Sequence, residues 1–88
     1  MEQEIYQLIN KLKAIARQNS DSFSFDIEPE IIAGKIRFTF GCYETADRHC
    51  FVGGSGFSFK EMVENVEKNL PEACKSWGYD MIGNLKKT

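Results

Sequence analysis

The chain is poor in the residues that metal binding and catalysis draw on. It has one histidine, His49, and three cysteines, Cys42, Cys50 and Cys74. An odd cysteine is left over from any full disulfide pairing, which favours a reduced, cytoplasmic setting over a disulfide-stapled secreted one. No C-x-x-C knuckle is present, and His49 and Cys50, as strand neighbours, project to opposite faces. Cys42 and Cys74 fall on apolar stripes and read as small core residues, so no metal and no cofactor are expected. The same opposition of His49 and Cys50 removes a nucleophile–base pair, and no spacing binds two carboxylates into an acid/base couple. The chain does not read as an enzyme. No apolar run approaches the ~20 residues that span a bilayer, and Met1-Glu2-Gln3-Glu4 lacks the basic and apolar signature of a secretory signal. Positive charge is also scarce: 11 basic against 13 acidic side chains give a net charge of −2, which removes bulk attraction to nucleic acid or anionic lipid.

What is present is ordinary for a globular protein, with 42% hydrophobic and 27% charged residues. The 88 residues are enough for one domain, with 83–88 expected to fray. Ile5, Leu8, Ile9, Leu12, Ile15 and Ala16 recur at spacings of three and four and predict a helix over 3–18. From Ser22 the period becomes two. Phe23, Phe25 and Ile27 alternate with Ser24, Asp26 and Glu28 in a half-buried strand expected to end near Pro29, and Gly34 marks the return. A second strand places Ile36, Phe38, Phe40 and Cys42 on one face and Arg37, Thr39 and Tyr43 on the other. Glu44 to Asp47 reads as a connection, His49 to Val52 as a short third strand, and Gly53-Gly54-Ser55-Gly56 as its end.

Ser58 and Glu61 form an S-x-x-E capping box, with Phe57 and Met62 placed as a hydrophobic staple. The apolar stripe then runs from Phe59 to Trp77, and Pro71 predicts a helix kinked or split there. Gly78 stops it. Tyr79, Met81, Ile82 and Leu85 offer a packing surface for the tail, and whether 79–82 adds a strand is open. The fold class is therefore α+β, in α-β-β-β-α order. A three-stranded antiparallel meander carries both helices on one face and leaves the other face polar.

That open face and its surroundings supply the candidate site. Asp21, Asp26, Glu28 and Glu30 form an acidic cluster, with Arg37, Thr39 and Tyr43 beside it. Together they suit docking to another protein with a basic surface, although charged strand edges also serve simply to discourage aggregation. The alternative is a nucleic-acid-binding module using Lys35, Arg37, Arg48 and Tyr43. Gly54, Ser55, Gly56 and Ser58, read as a loop before a helix start, form a weak candidate for anion binding, without the lysine and hydroxyl of a phosphate-binding loop. Exposed strand edges also offer a surface for a homodimer.

The element order resembles that of a double-stranded-RNA-binding domain. That family grips phosphates with lysines at the start of its last helix. The matching stretch here, Ser58 to Glu64, has one lysine and two glutamates, so that function is not implied. The segment Gly56 to Val66 is similar to the strand-to-helix stretch of HicB-type antitoxins over roughly eleven residues, mostly shared capping chemistry. In size and charge the chain is similar to compact phage and mobile-element proteins, including anti-CRISPR inhibitors. The expectation is a small non-catalytic accessory or inhibitor protein with a protein partner.

Overall fold

A computed structural model describes residues 2–19 and 21–79. The first apolar stripe forms α1 (Glu2–Gln18), with Leu8, Leu12, Ile15 and Ala16 buried and Ile5 and Ile9 half-buried. The helix ends because Asn19 turns back on it. Its side-chain amide donates to the Ile15 carbonyl at 2.8 Å, and the Asn19 and Asp21 backbone amides donate to the Ala16 carbonyl. Carbonyls that a helix end leaves open are thereby satisfied.

Strands β1 (Phe23–Ile32) and β2 (Lys35–Glu44) pair antiparallel from Phe23↔Glu44 to Ile32↔Lys35. Ala33 and Gly34 join them with φ of 54° and 78°, the two positive values that a two-residue hairpin turn needs to match strand twist. β1 does not stop at Pro29 as the sequence predicts. In a hairpin of this type the pairs alternate outward from Ile32↔Lys35, so Pro29 lies where the backbone nitrogen points away from β2 and its missing N–H costs no ladder bond.

The β2–β3 connection is organised by Glu44, whose carboxylate accepts from the Asp47 amide at 2.8 Å and the Ala46 amide at 3.2 Å. β3 (Cys50–Gly56) pairs antiparallel with β2, giving the sheet order β1-β2-β3. Cys42 faces Val52 while Tyr43 faces Cys50, so Phe51 is an extra residue on β3. This bulge lets consecutive Phe51 and Val52 both enter the core.

β3 corrects the expected third strand in two ways. It excludes His49, and it contains the glycine run expected to end it. The glycines are there because a helix lies on them. A Cβ on Gly54 would stand 2.7 Å from the Val66 backbone nitrogen, and one on Gly56 would stand 2.6 Å from that of Met62. Only a strand without side chains at these positions lets α2 (Phe59–Trp77) come so close.

Ser58 caps α2 as predicted, its hydroxyl accepting from the Glu61 amide at 3.1 Å. Glu61 returns to the Phe57 amide at 2.9 Å, one residue earlier than a standard capping box. Phe57, expected to staple onto Met62, is half-exposed and has the Lys35 ammonium 6.0 Å from its ring centroid. α2 is one helix through Pro71, not two. The buried stripe Met62, Val63, Val66, Leu70 and Cys74 spans the proline, so core packing on both sides offsets the missing N–H. Gly78 in the left-handed region (φ 75°) donates to Lys75, and Tyr79 donates to Cys74, closing the helix in a Schellman motif.

Both helices pack on one side of the sheet around Phe40, Cys42, Phe51 and Val52. Tyr79 joins Phe23, Phe51 and Trp77 in an aromatic group at one end, with ring centroids 5.4–6.3 Å apart around Trp77 and Tyr79. Met81, Ile82, Leu85 and 83–88, with the expectations attached to them, lie outside the described residues. No described helix is long and apolar enough to cross a membrane.

Candidate functional site

Register decides what the open face carries, because residues directly opposite in an antiparallel pair share a face. Phe25↔Cys42 and Ile27↔Phe40 lie toward the helices. Ser24↔Tyr43, Asp26↔Gly41, Glu28↔Thr39 and Glu30↔Arg37 lie on the far side. β3 extends this face with Ser55 opposite Thr39 and Gly53 opposite Gly41. The sequence-predicted Asp26, Glu28, Glu30, Arg37, Thr39 and Tyr43 are therefore brought together on one surface, with the three acids at alternate positions of β1 and exposed.

Within this surface the groups are not equivalent. Glu30 is paired with Arg37, Oε1 to Nη2 at 2.7 Å, and both side chains remain partly in water, so the pair contributes little to stability. Asp26 and Glu28 have no ion-pair partner among the described residues. The phenol end of the Tyr43 ring lies over Gly41, where an added Cβ would meet its hydroxyl and Cε1 at 2.6 Å. Gly41 faces Asp26, so that carboxylate is the main influence pushing the Tyr43 phenol pKa upward. Desolvation, Cys50 and Glu28 add to the shift, and Arg48 opposes it. Ser24, Phe25, Asp26, Tyr43 and Arg48 line a shallow hollow of about 240 Å³ beside this ring.

Asp21 leaves the acidic cluster. It is half-buried, and its carboxylate accepts the Tyr79 hydroxyl, tying the turn after α1 to the second residue beyond α2. Burial first, and then this bond, push the Tyr79 pKa well up. Gly54, Ser55 and Gly56 belong to a paired strand, and the Ser58 hydroxyl is engaged in the cap, so the loop expected to hold an anion is not there. The cations of the alternative reading are dispersed. Lys35 and Arg37 stand near the β1–β2 hairpin, whereas Arg48 lies beyond Tyr43, roughly 25 Å along β2 from Lys35 at ~3.3 Å per residue. Cys42 is buried toward the helices with its thiol pKa pushed far up, chiefly by burial. Cys50 is exposed on the other side, and Cys74 is buried in α2. Among the described residues no three His, Cys, Asp or Glu side chains are arranged to hold a metal ion.

Two asparagines matter that sequence reasoning missed. Asn65 Nδ2 donates to the Ser55 carbonyl at 2.6 Å, and Asn69 Nδ2 donates to the Gly53 carbonyl at 2.8 Å. Four helix residues advance about 6 Å and two strand residues about 6.8 Å, so one turn of α2 matches one repeat of β3. Their polar amides one turn apart beside a glycine-rich strand were the available signal. Ile31 (77% exposed) and Ile36 (52% exposed), a cross-strand pair on the helix side near the hairpin, were also missed because their positions look like core. No protein-family model, curated protein or solved structure matches the chain.

Proposed function

We propose that this is a non-catalytic binding protein, of accessory or inhibitory type, that engages a basic partner protein through the open sheet face on its β1 side. The observation that carries this reading is the row Asp26, Glu28 and Glu30, exposed at alternate positions of one strand, opposite the helices, with the first two free of ion pairs among the described residues. Unpaired carboxylates on a rigid sheet attract a basic surface at long range and orient it on approach. The dispersal of Lys35, Arg37 and Arg48 supports a protein partner over a phosphate backbone, which calls for a continuous basic stripe.

The test is capture from the source cells at low salt, with the wild-type protein and the triple reversal D26K/E28K/E30K as baits, both confirmed folded by circular dichroism. The wild type should retain a basic protein that the reversal loses. A partner retained equally by both baits would sink the acidic-surface reading. Direct binding of RNA or DNA that weakens steeply with salt would replace it with the nucleic-acid one.

A further inference from the structure

The two edges of the sheet are treated differently. The turn geometry at Ala33-Gly34 makes Ile32↔Lys35, Glu30↔Arg37 and Glu28↔Thr39 the hydrogen-bonded pairs, so Phe38, Phe40 and Cys42 turn their backbone groups toward β3. Gly53 and Ser55 then face away from β2, and it is their carbonyls that Asn69 and Asn65 occupy. α2 thus occupies the outward carbonyls of Gly53 and Ser55 on the β3 edge. On β1 the same alternation turns the amides of Phe25, Ile27 and Ile31 outward, and among the described residues no hydrogen bond reaches them. The β3 edge has outward carbonyls held by α2, whereas no such bond reaches the outward β1 amides among the described residues.

We infer that the β1 edge accepts an extended segment of the partner as a fourth strand, and that this segment alternates lysine or arginine with apolar residues. The inference rests on the reading of the open face as the docking side and adds the mode and chemistry of the contact. Both faces of the edge call for that alternation. On the open face a neighbouring strand meets Asp26 and Glu28, which cations complement. On the helix side it meets half-buried Phe25 and Ile27, then Ile31, left 77% exposed by the helices, which apolar side chains would cover. Pro29 offers no outward N–H, so the donors Phe25 and Ile27 before it set the register. A second copy of this chain fits poorly. Antiparallel β1–β1 pairing that keeps the helices on one side sets acids against acids: Glu28 against Glu28 about one two-fold axis, or Asp26 against Glu28 about the next.

The test uses a synthetic peptide alternating lysine and valine, an identical peptide N-methylated on the backbone amides that would face β1, and one alternating glutamate and valine. Amide exchange and chemical shifts are followed residue by residue by NMR. With the lysine peptide, exchange at Phe25 and Ile27 should slow by about tenfold or more. N-methylation should abolish the effect, D26K/E28K should weaken it, and the glutamate peptide should not bind. Binding that survives N-methylation and leaves Phe25 and Ile27 unprotected would overturn strand addition, while docking on the open face, tested by the triple-reversal capture, would stand. Equal binding of the glutamate peptide, no binding of the lysine peptide at low salt, or protection of β1 that rises with protein concentration alone would also overturn it.

Discussion

Replacing Gly56 by alanine tests the packing on which the surface assignments depend. In a strand, glycine is ordinarily a liability, and alanine gains roughly 0.5–1 kcal/mol by restricting the unfolded chain. Here the added methyl would lie 2.6 Å from the Met62 nitrogen and 2.8 Å from the carbonyl carbon and Cβ of Glu61, where ordinary contact begins at 3.4 Å. The obstacle is helix backbone, so relief requires α2 to move off the sheet by several tenths of an ångström along the turn that carries fully buried Met62. Overpacking of this kind costs about 1–3 kcal/mol. After the entropic gain, G56A should be destabilised by about 1–2 kcal/mol, or roughly 5–15 °C in Tm for a domain this size. Urea and thermal unfolding followed by far-ultraviolet circular dichroism would measure it. Gly41→Ala is the comparison, because there the obstruction is the Tyr43 ring, which can swing into solvent, and the loss should be smaller. A G56A protein as stable as the wild type, or more stable, would refute the claim that the glycines exist for close helix approach.

Pro71→Ala restores an N–H within α2 and should stabilise by about 1–3 kcal/mol, seen as a rise in Tm; a fall would mean that the proline shapes the packing. N65A/N69A removes both bonds to the outer edge of β3, each contributing about 0.5–1.5 kcal/mol, and should promote self-association in sedimentation velocity, whereas a strictly monomeric variant would contradict edge closure. Stability should also fall in alkali. Burial raises the Cys42 pKa above 9.0, and burial together with the Asp21 bond raises that of Tyr79 above 10.0, so on titration the unfolded chain releases these protons first. The native state then holds more protons, so the stability these two groups contribute should be fully present below about pH 9 and decline above it. In Cys42→Ala the decline should begin about one pH unit later, and an unchanged onset would deny the thiol its part.

Much of this fold was legible because its signals are local. The stripe from Ile5 to Ala16, the alternation from Phe23 to Ile27 and the Ser58 cap each arise within a few residues, and each formed as read. The errors came from residues whose meaning depends on a neighbour distant in the chain. Gly53 to Gly56 looks the same in sequence whether it makes a turn or a bed for a helix, and only Met62 and Val66 decide between them. Pro29 ends a central strand but is tolerated on an edge, and Pro71 is carried by the buried stripe around it. The site divides in the same way. Alternation alone placed Asp26, Glu28, Arg37, Thr39 and Tyr43 on one face, whereas the diversion of Asp21 to Tyr79, the Tyr43 ring over Gly41 and the asparagine clasp on β3 all depend on register and packing.

The most direct examination of the docking account is residue-resolved hydrogen exchange on the protein bound to the basic partner recovered by capture. Slowed exchange at Phe25 and Ile27, with little change on the outer surfaces of α1 and α2, is the predicted result. Protection confined to the helices, with those two β1 amides exchanging as in the free protein, would contradict it.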